Sequence, residues 1–168
     1  MSASPSSASS GKTGEQTGRL DLTLTRDLAV PPALVWKVWT TPEHLMPWFC
    51  PRPWMVTQCE IELRPGGKFF TVMRGPEGQE FPNLGIFLEL VENRRLVFTD
   101  TLHPGWRPAT NPFFTAIVTM EEIAGGTRYT ATALHKDDAD RRKHEEMGFH
   151  DGWATAATQM EDYAKSLL

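Results

Sequence analysis

The sequence predicts an α+β fold in which an antiparallel sheet curls around a long C-terminal helix. Three observations support this prediction. A strand with alternating apolar and polar side chains comes first, two short helices with proline near their starts follow it, and six strands then precede one long helical pattern. This order of elements is typical of an α+β domain.

The first strand and the two short helices are each predicted from a local pattern. Residues 20–25 alternate leucine with polar side chains, which indicates a half-buried strand. A helix begins near residues 30–32, because proline is tolerated in the first turn of a helix. Thr41 has the features of an N-cap before Pro42, and a second helix is expected from there to about Phe49.

Turn residues separate the six strands that follow. Glycine and proline mark turns at residues 64–67 and 75–78, and Gly125-Gly126 fits a tight hairpin between the last two strands. A long proline-rich loop is expected at residues 103–112. The predicted strands cover residues 55–63, 68–74, 81–91, 95–102, 113–122 and 127–134.

The C-terminal helix is predicted from Asp137 and Asp138, which offer a cap, nearly to the end of the chain. Its apolar residues recur at spacings of three and four and therefore share one face: Phe149, Trp153, Ala156, Met160, Ala164 and Leu167. Gly148 and Gly152 weaken the helix, so we expect a break or bend near Gly148.

Composition limits the class of protein. The 168 residues suit one domain at residues 19–168, after a tail at residues 1–18 that we expect to be disordered. The formal net charge of −4 argues against nucleic-acid binding through phosphate contacts, and no apolar run is long enough to span a membrane. Cys50 and Cys59 make neither a disulfide framework nor a zinc site, which favours a reduced, cytoplasmic protein.

Three motifs, in this order, resemble those of the START-like (SRPBCC) superfamily. They are Val30-Pro31-Pro32-x-x-Val35-Trp36, Arg64-Pro65-Gly66-Gly67 and Gly148-Phe149-x-x-Gly152-Trp153. The chain from residue 20 to residue 168 is similar to the branch homologous to the activator of the heat-shock chaperone's ATPase. The resemblance implies a helix-grip fold, with an apolar cavity between the sheet and the last helix. Members bind lipids, sterols, polyketides or other hydrophobic molecules, some are aromatase/cyclases or receptors, and the namesake stimulates a chaperone.

An internal cavity would be lined by the abundant aromatic side chains, since the chain has six Trp and nine Phe. The alternative is that these rings fill the space completely, as core rings usually do. The candidate lining residues are Phe149, Trp153 and Met160 on the last helix, Phe69, Met73, Phe87, Phe98 and Phe114 on strands, and Trp39, Trp48 and Phe49 at the other end. Ile86 and Phe113 compete with Phe87 and Phe114 for the inward side.

Arg26 is a further candidate for the cavity wall. If the first strand keeps its alternation, Arg26 points inward and needs a carboxylate partner or an anionic ligand. The alternative is that the strand ends or bulges there and the guanidinium group reaches water.

Two proline-rich loops are candidates for the cavity mouth. Arg52 and Trp54 lie in the first, and His103, Trp106 and Arg107 lie in the second. Tryptophan beside arginine suits a rim that admits a hydrophobic ligand and holds its carboxylate. The alternative is that proline stiffens these loops and tryptophan covers the edge of the core.

His135 and His144 are the best candidates for chemistry, as general acid–base groups near the cavity. The alternative is that both are surface histidines. Their spacing fits no helical metal-ligand pair, and we expect no metal. We also expect no cofactor. The chain has neither a glycine-rich phosphate loop nor a Gly-x-Ser-x-Gly nucleophile elbow, so nothing in it indicates nucleotide hydrolysis or hydrolysis by a catalytic triad.

Three functions are therefore open. The first is binding or carriage of a small hydrophobic or amphipathic molecule in the cavity. The second is an enzyme of the polyketide cyclase or aromatase type, which requires a titrating histidine or carboxylate inside the cavity. The third is a chaperone ATPase co-regulator, which requires an exposed apolar patch. A small hydrophobic molecule is the expected partner, and a chaperone or a second copy of the chain is left open.

Overall fold

The computed structural model describes residues 18–168, and nine strands and four helices lie in this part of the chain. In chain order they are β1 (Asp21–Leu28), α1 (Pro32–Thr40), α2 (Pro42–Leu45), β2 (Met55–Ile61), β3 (Lys68–Arg74), β4 (Glu80–Val91), β5 (Arg95–Thr99), β6 (Leu102–His103), β7 (Arg107–Pro108), β8 (Thr115–Ile123), β9 (Gly126–Leu134), α3 (Asp138–Glu146) and α4 (Phe149–Lys165). The tail predicted at residues 1–18 lies outside the described residues, apart from Gly18.

Seven of the strands form one antiparallel sheet in the order β1-β9-β8-β5-β4-β3-β2. Two register shifts interrupt it, between Val56 and Gln58 in β2 and between Phe87 and Glu89 in β4. Bulges of this kind bend a strand and increase its twist, which suits a sheet that curves. The curved sheet and the C-terminal helix confirm the predicted α+β class and the helix-grip fold.

The main core lies where α4 packs against β1 and α1. Ala157, Met160 and Ala164 of α4 are buried at spacings of three and four, as the helical periodicity predicts. Val35 and Val38 of α1 meet them from the other helix, and both are fully buried. Burying an aliphatic side chain of this size stabilises a fold by about 1.5–3 kcal/mol, so this contact contributes strongly to the free energy of folding.

The predicted break in the C-terminal helix is confirmed. Asp137 caps α3 by accepting a hydrogen bond from the Asp140 backbone N–H at 2.8 Å. Gly148 then adopts a φ of 91°, a conformation that side chains with a Cβ avoid, and α4 begins at the next residue. Helix α3 contacts both α4 and β1.

The structure differs from the predicted elements at several boundaries. Strands β2 and β5 end at Ile61 and Thr99 rather than at residues 63 and 102. The second helix ends at Leu45 rather than near Phe49, because irregular turns continue the chain to the proline-rich segment. The loop expected at residues 103–112 contains β7 and the end of β6, which pair as a two-residue hairpin. Strand β8 begins at Thr115, so Phe113 and Phe114 precede it. None of the described helices is both long enough and apolar enough to cross a membrane.

Candidate functional site

A cavity of about 520 Å³ separates the sheet from α4. Helix α4 and the α3–α4 junction form one wall, strands β3, β4 and β5 form another, and the segment at residues 48–54 closes one end. Most of the aromatic and apolar side chains predicted for a cavity lie in these walls: Trp39, Trp48, Phe49, Phe69, Met73, Phe98, Phe114, Phe149 and Trp153. The rings therefore surround a space rather than fill it.

Contacts between rings hold the wall in place. Phe98 meets Phe69 edge to face, with ring centroids 4.9 Å apart, and Trp39 meets Trp48 in the same way at 5.1 Å. Such pairs contribute about 0.5–1.5 kcal/mol beyond the area they bury. The wall is therefore a connected layer of rings, in which each residue limits the movement of the next.

Two residues predicted to line the cavity lie behind its wall instead. Phe87 is fully buried and stacks on Phe69, with centroids 4.9 Å apart and planes 9° apart, and of these two rings Phe69 alone lines the cavity. Met160 is also fully buried, in the core between α4 and α1. Both side chains support the wall without lining it.

The expectation that Arg26 points into the cavity is wrong. Arg26 pairs in register with Tyr129 of β9, yet its side chain is exposed, whereas Leu22 and Leu28 of the same strand are buried. Strand β1 lies at the edge of the sheet, where a long guanidinium side chain reaches solvent past its neighbours. Arg26 therefore has no buried charge that requires an anionic ligand.

The first proline-rich loop lies at the cavity and the second does not. Trp54 lines the cavity and packs against Phe81 with centroids 5.6 Å apart, while Arg52 is exposed and outside the wall. The second loop folds back toward the turn between β2 and β3, and the Trp106 ring covers Gly66, where a Cβ would lie 2.8 Å from the indole. The second loop is thus wrongly predicted as a rim, and His103 and Arg107 do not line the cavity either.

The mouth is marked by exposed residues that also line the cavity. Asn83 on β4 is one of them, and Met147 at the junction of α3 and α4 is another, with 67% of its surface exposed. Sequence reasoning missed both residues. The opening of the cavity therefore carries a polar side chain, Asn83, and an apolar one, Met147.

Internal hydrogen bonds already engage two polar residues of the wall. The Thr99 hydroxyl lies 2.8 Å from the hydroxyls of both Thr101 and Thr115. The Asp100 carboxylate accepts hydrogen bonds from the backbone N–H groups of Phe113 and Phe114, at 2.8 and 3.1 Å. These bonds fix the segment before β8 and so position its two rings.

Tyr129 and Trp39 form a buried polar contact in the wall of the cavity. Burial raises the pKa of Tyr129 well above its ordinary value, and the neighbouring Trp39 indole N–H opposes that rise. The Trp39 Nε1 atom is itself buried without a well-formed hydrogen bond to any described residue. The Tyr129 hydroxyl therefore stays protonated over the whole range in which the protein is expected to work.

His135 and His144 form a buried hydrogen-bonded pair. His135 follows β9 and His144 lies on α3, and the His135 Nε2 atom is 2.8 Å from the His144 Nδ1 atom. Their exposed fractions are only 6% and 7%, so the alternative of surface histidines is wrong for both. His135 Nδ1 lies 2.8 Å from the Leu20 carbonyl oxygen, which can only accept.

The direction of these hydrogen bonds follows from the carbonyl. His135 donates from Nδ1 to Leu20, so in its neutral form its Nε2 accepts, and His144 must donate from Nδ1. Burial, together with the neighbouring His135, lowers the pKa of His144 to about 4, so His144 is uncharged at neutral pH. The Nε2 atom of His144 is then an acceptor, and His144 lines the cavity.

The described residues contain no group of three or more His, Cys, Asp or Glu side chains that could hold a metal ion. Cys50 lines the cavity, but burial raises the pKa of its thiol to about 11, so it is not a thiolate at neutral pH. Burial and the nearby Glu60 raise the pKa of Cys59 to about 11 as well. The wall therefore offers hydrogen bonding and apolar contact rather than nucleophilic chemistry.

Residues 29–165 match a family model described as "Activator of Hsp90 ATPase homolog 1-like protein". A crystal structure of a protein from Nitrosomonas europaea is similar, with 49% identity and a TM-score of 0.86 over 88% of this chain and 96% of that one. The solution structure of an AHSA1-like protein from Aeromonas hydrophila has 18% identity and a TM-score of 0.67 over 88% and 93% of the two chains. This second likeness concerns the fold alone. A comparison with curated proteins gives no match.

Proposed function

Because the chain belongs to the family of activator of Hsp90 ATPase homolog 1-like proteins, with its helix-grip fold, we propose that it binds and carries a small hydrophobic or amphipathic molecule between the sheet and α4. The observation that carries the proposal is the cavity of about 520 Å³. Small-molecule sites are typically clefts of about 300–1,000 Å³, lined mainly by apolar and aromatic side chains. The wall described above fits that description in both volume and composition.

Burial of apolar surface would supply most of the affinity. Each Å² of apolar ligand surface removed from water contributes roughly 25 cal/mol to the free energy of binding. The loss of the ligand's translational and rotational freedom opposes binding by several kcal/mol. The rings around the cavity support one another, so little side-chain freedom is left to lose when a ligand enters. Asn83 and Met147 at the mouth suit a ligand with one polar end.

Native mass spectrometry of the freshly purified protein, repeated after denaturing extraction, tests the proposal. A bound molecule of a few hundred daltons that disappears on extraction is the expected result. A ligand-free protein is tested further with an uncharged apolar fluorescent probe, N-phenyl-1-naphthylamine. Saturable one-site binding of this probe is expected, and its absence together with a ligand-free mass would overturn the proposal.

Two matched variants locate the binding site. Ala156 lines the cavity, so Ala156→Leu fills part of the space and should weaken binding at least tenfold. Thr155 is the preceding residue of α4 and is exposed, so Thr155→Leu should leave binding unchanged. Equal effects of the two variants would place the binding site outside the cavity.

A second candidate function is proton-transfer catalysis of the polyketide cyclase or aromatase type. The buried histidine pair at the cavity wall is the observation in its favour. The lowered pKa of His144 weighs against it, because a base with a pKa of about 4 abstracts protons poorly at neutral pH. The test is cyclisation of a β-polyketone analogue, which should be lost in His144→Gln if this candidate is right.

A further inference from the structure

From the geometry of the histidine pair we infer that the cavity selects a planar aromatic ligand with a hydroxyl group on its ring, and that the Nε2 atom of His144 accepts the hydrogen bond from that hydroxyl. The inference rests on the proposed function, because it names the class of molecule that the same cavity takes. It also assigns His144 a binding role that requires no turnover.

Hydrogen bonds fix the orientation of the His144 ring. Two hydrogen bonds of 2.8 Å connect the Leu20 carbonyl to His135 and His135 to His144. They use both nitrogens of His135 and the Nδ1 atom of His144. None of the described residues bonds the Nε2 atom of His144, which lies on the side of the ring away from His135. His144 lines the cavity, so a hydroxyl group of a bound ligand can donate to this free acceptor.

Aromatic rings surround His144 and determine the shape of the space beside it. Its ring centroid lies 5.0 Å from those of Phe113 and Phe114, 5.2 Å from that of Phe149 and 5.8 Å from that of Trp153. All four of these rings line the cavity. A flat aromatic ligand can stack or meet these rings edge to face while its edge points at the imidazole.

The charged residues of the cavity wall favour an uncharged ligand. The described part of the cavity wall contains no lysine or arginine, and its carboxylate is that of Asp100. An anionic ligand would therefore bury its charge near Asp100 without a cation, which is unfavourable. The arginines predicted to hold a carboxylate, Arg26, Arg52 and Arg107, are exposed and outside the wall. A neutral donor such as a phenolic hydroxyl fits the wall, and a carboxylate does not.

Three probes that differ in one group test the inference on the full chain. They are 2-naphthol, which donates, 2-methoxynaphthalene, which cannot donate, and naphthalene. We expect 2-naphthol to bind roughly tenfold more tightly than 2-methoxynaphthalene in isothermal titration, the effect of about one hydrogen bond. His144→Phe should abolish this preference while naphthalene still binds. His150→Phe, which alters an exposed histidine of α4, should keep the preference.

A measurement on the unaltered protein covers the case in which His144→Phe fails to fold. Long-range ¹H–¹⁵N spectra should show His144 with its proton on Nδ1. The Nε2 signal should shift when 2-naphthol is added and stay in place with 2-methoxynaphthalene. A proton on Nε2 in the ligand-free protein would contradict the inferred direction of the hydrogen bonds.

The outcomes separate the two proposals. If none of the probes binds, the proposed function fails together with the inference. If all three bind equally, the cavity binds hydrophobic molecules but does not select a hydroxyl group, and only the inference fails. A preference for 2-naphthol that persists in His144→Phe would likewise overturn the role of His144.

Discussion

The side-chain amide of Gln159 donates a hydrogen bond to the Cys50 carbonyl oxygen at 2.9 Å, and so ties α4 to the segment that closes one end of the cavity. The same NH₂ group donates to the Trp48 carbonyl at 3.1 Å, and the amide oxygen accepts from the Arg52 backbone N–H at 3.0 Å. Gln159 is only 7% exposed. This buried side chain therefore satisfies three backbone groups in a segment that has no regular secondary structure.

Gln159→Leu should destabilise the protein by about 3 kcal/mol. Leucine is close in size but leaves two carbonyl groups and one N–H without partners, and a buried unpaired group typically costs about 1–3 kcal/mol. Urea unfolding measures the loss. Gln58→Leu, at an exposed position of β2, is the matched control and should change the free energy of unfolding by no more than about 0.5 kcal/mol. Similar losses in both variants would contradict the role of Gln159.

The buried His144 should make the stability of the protein depend on pH. Its pKa is lowered from 6.5 to about 4 by burial first and then by His135. Between these values the unfolded chain binds a proton that the folded chain does not, so stability is fully present above about pH 6.5 and falls as the pH drops toward 4. The contribution is up to about 3 kcal/mol, and unfolding measured at pH 7.5 and pH 5 tests it.

His144→Phe isolates this effect, because other groups nearby titrate or carry charge as well. Burial raises the pKa of Asp21, and the neighbouring His135 opposes this rise. Asp21 therefore stabilises the folded state as the pH falls, whereas His144 destabilises it. The Lys143 Nζ atom also lies close by, over the Phe113 ring and 5.6 Å from its centroid. The variant should lose stability less steeply than the unaltered protein between pH 6.5 and pH 5, and parallel curves would contradict the assignment to His144.

Two aromatic residues should respond differently to truncation, because one fills the core and the other faces the cavity. Phe87 is fully buried against Phe69, so Phe87→Ala should cost about 3–5 kcal/mol. Trp153 is half-buried and lines the cavity, so Trp153→Ala enlarges an existing space and should cost less than half as much. Binding of the fluorescent probe should weaken in Trp153→Ala. A loss of 3–5 kcal/mol in Trp153→Ala would instead indicate a packed core at this position.

Local patterns predicted most of the fold because strands, turns and an amphipathic helix each leave a short-range signal. The spacing of Met160 and Ala164 gave the buried face of α4, and Gly148 marked its start. The two-residue strands β6 and β7 carry no such signal, since two residues are too few for any period. The end of α2 at Leu45 was missed because turns continue its pattern to Phe49.

The candidate site depends on contacts that no local pattern contains. His135 and His144 are nine residues apart in the chain and meet only because α3 folds back over the end of β9. The partner of His135 is the Leu20 carbonyl, 115 residues away. Gln159 lies on a helix face that is otherwise apolar, and a lone polar residue at such a position was the available signal for it. The alternation of the first strand places Arg26 on the same side as Leu22 and Leu24, which predicted that it points inward. Alternation does not show that β1 lies at the edge of the sheet, where a long side chain can reach water.

The two glycines at the start of α4 should respond to alanine in opposite directions. Gly148 has a φ of 91°, and a Cβ there would meet no atom within 4 Å, so the cost of Gly148→Ala is conformational and should be about 1–2 kcal/mol. Gly152 is helical, and its Cβ would meet only the Pro51 Cγ atom, at 3.9 Å. Gly152→Ala should therefore stabilise the protein by roughly 0.5–1 kcal/mol, because alanine favours the helix over glycine. Thermal and urea unfolding of both variants provide the measurement. Stabilisation by Gly148→Ala would contradict the left-handed conformation of Gly148, and destabilisation by Gly152→Ala would contradict an open helical position for Gly152.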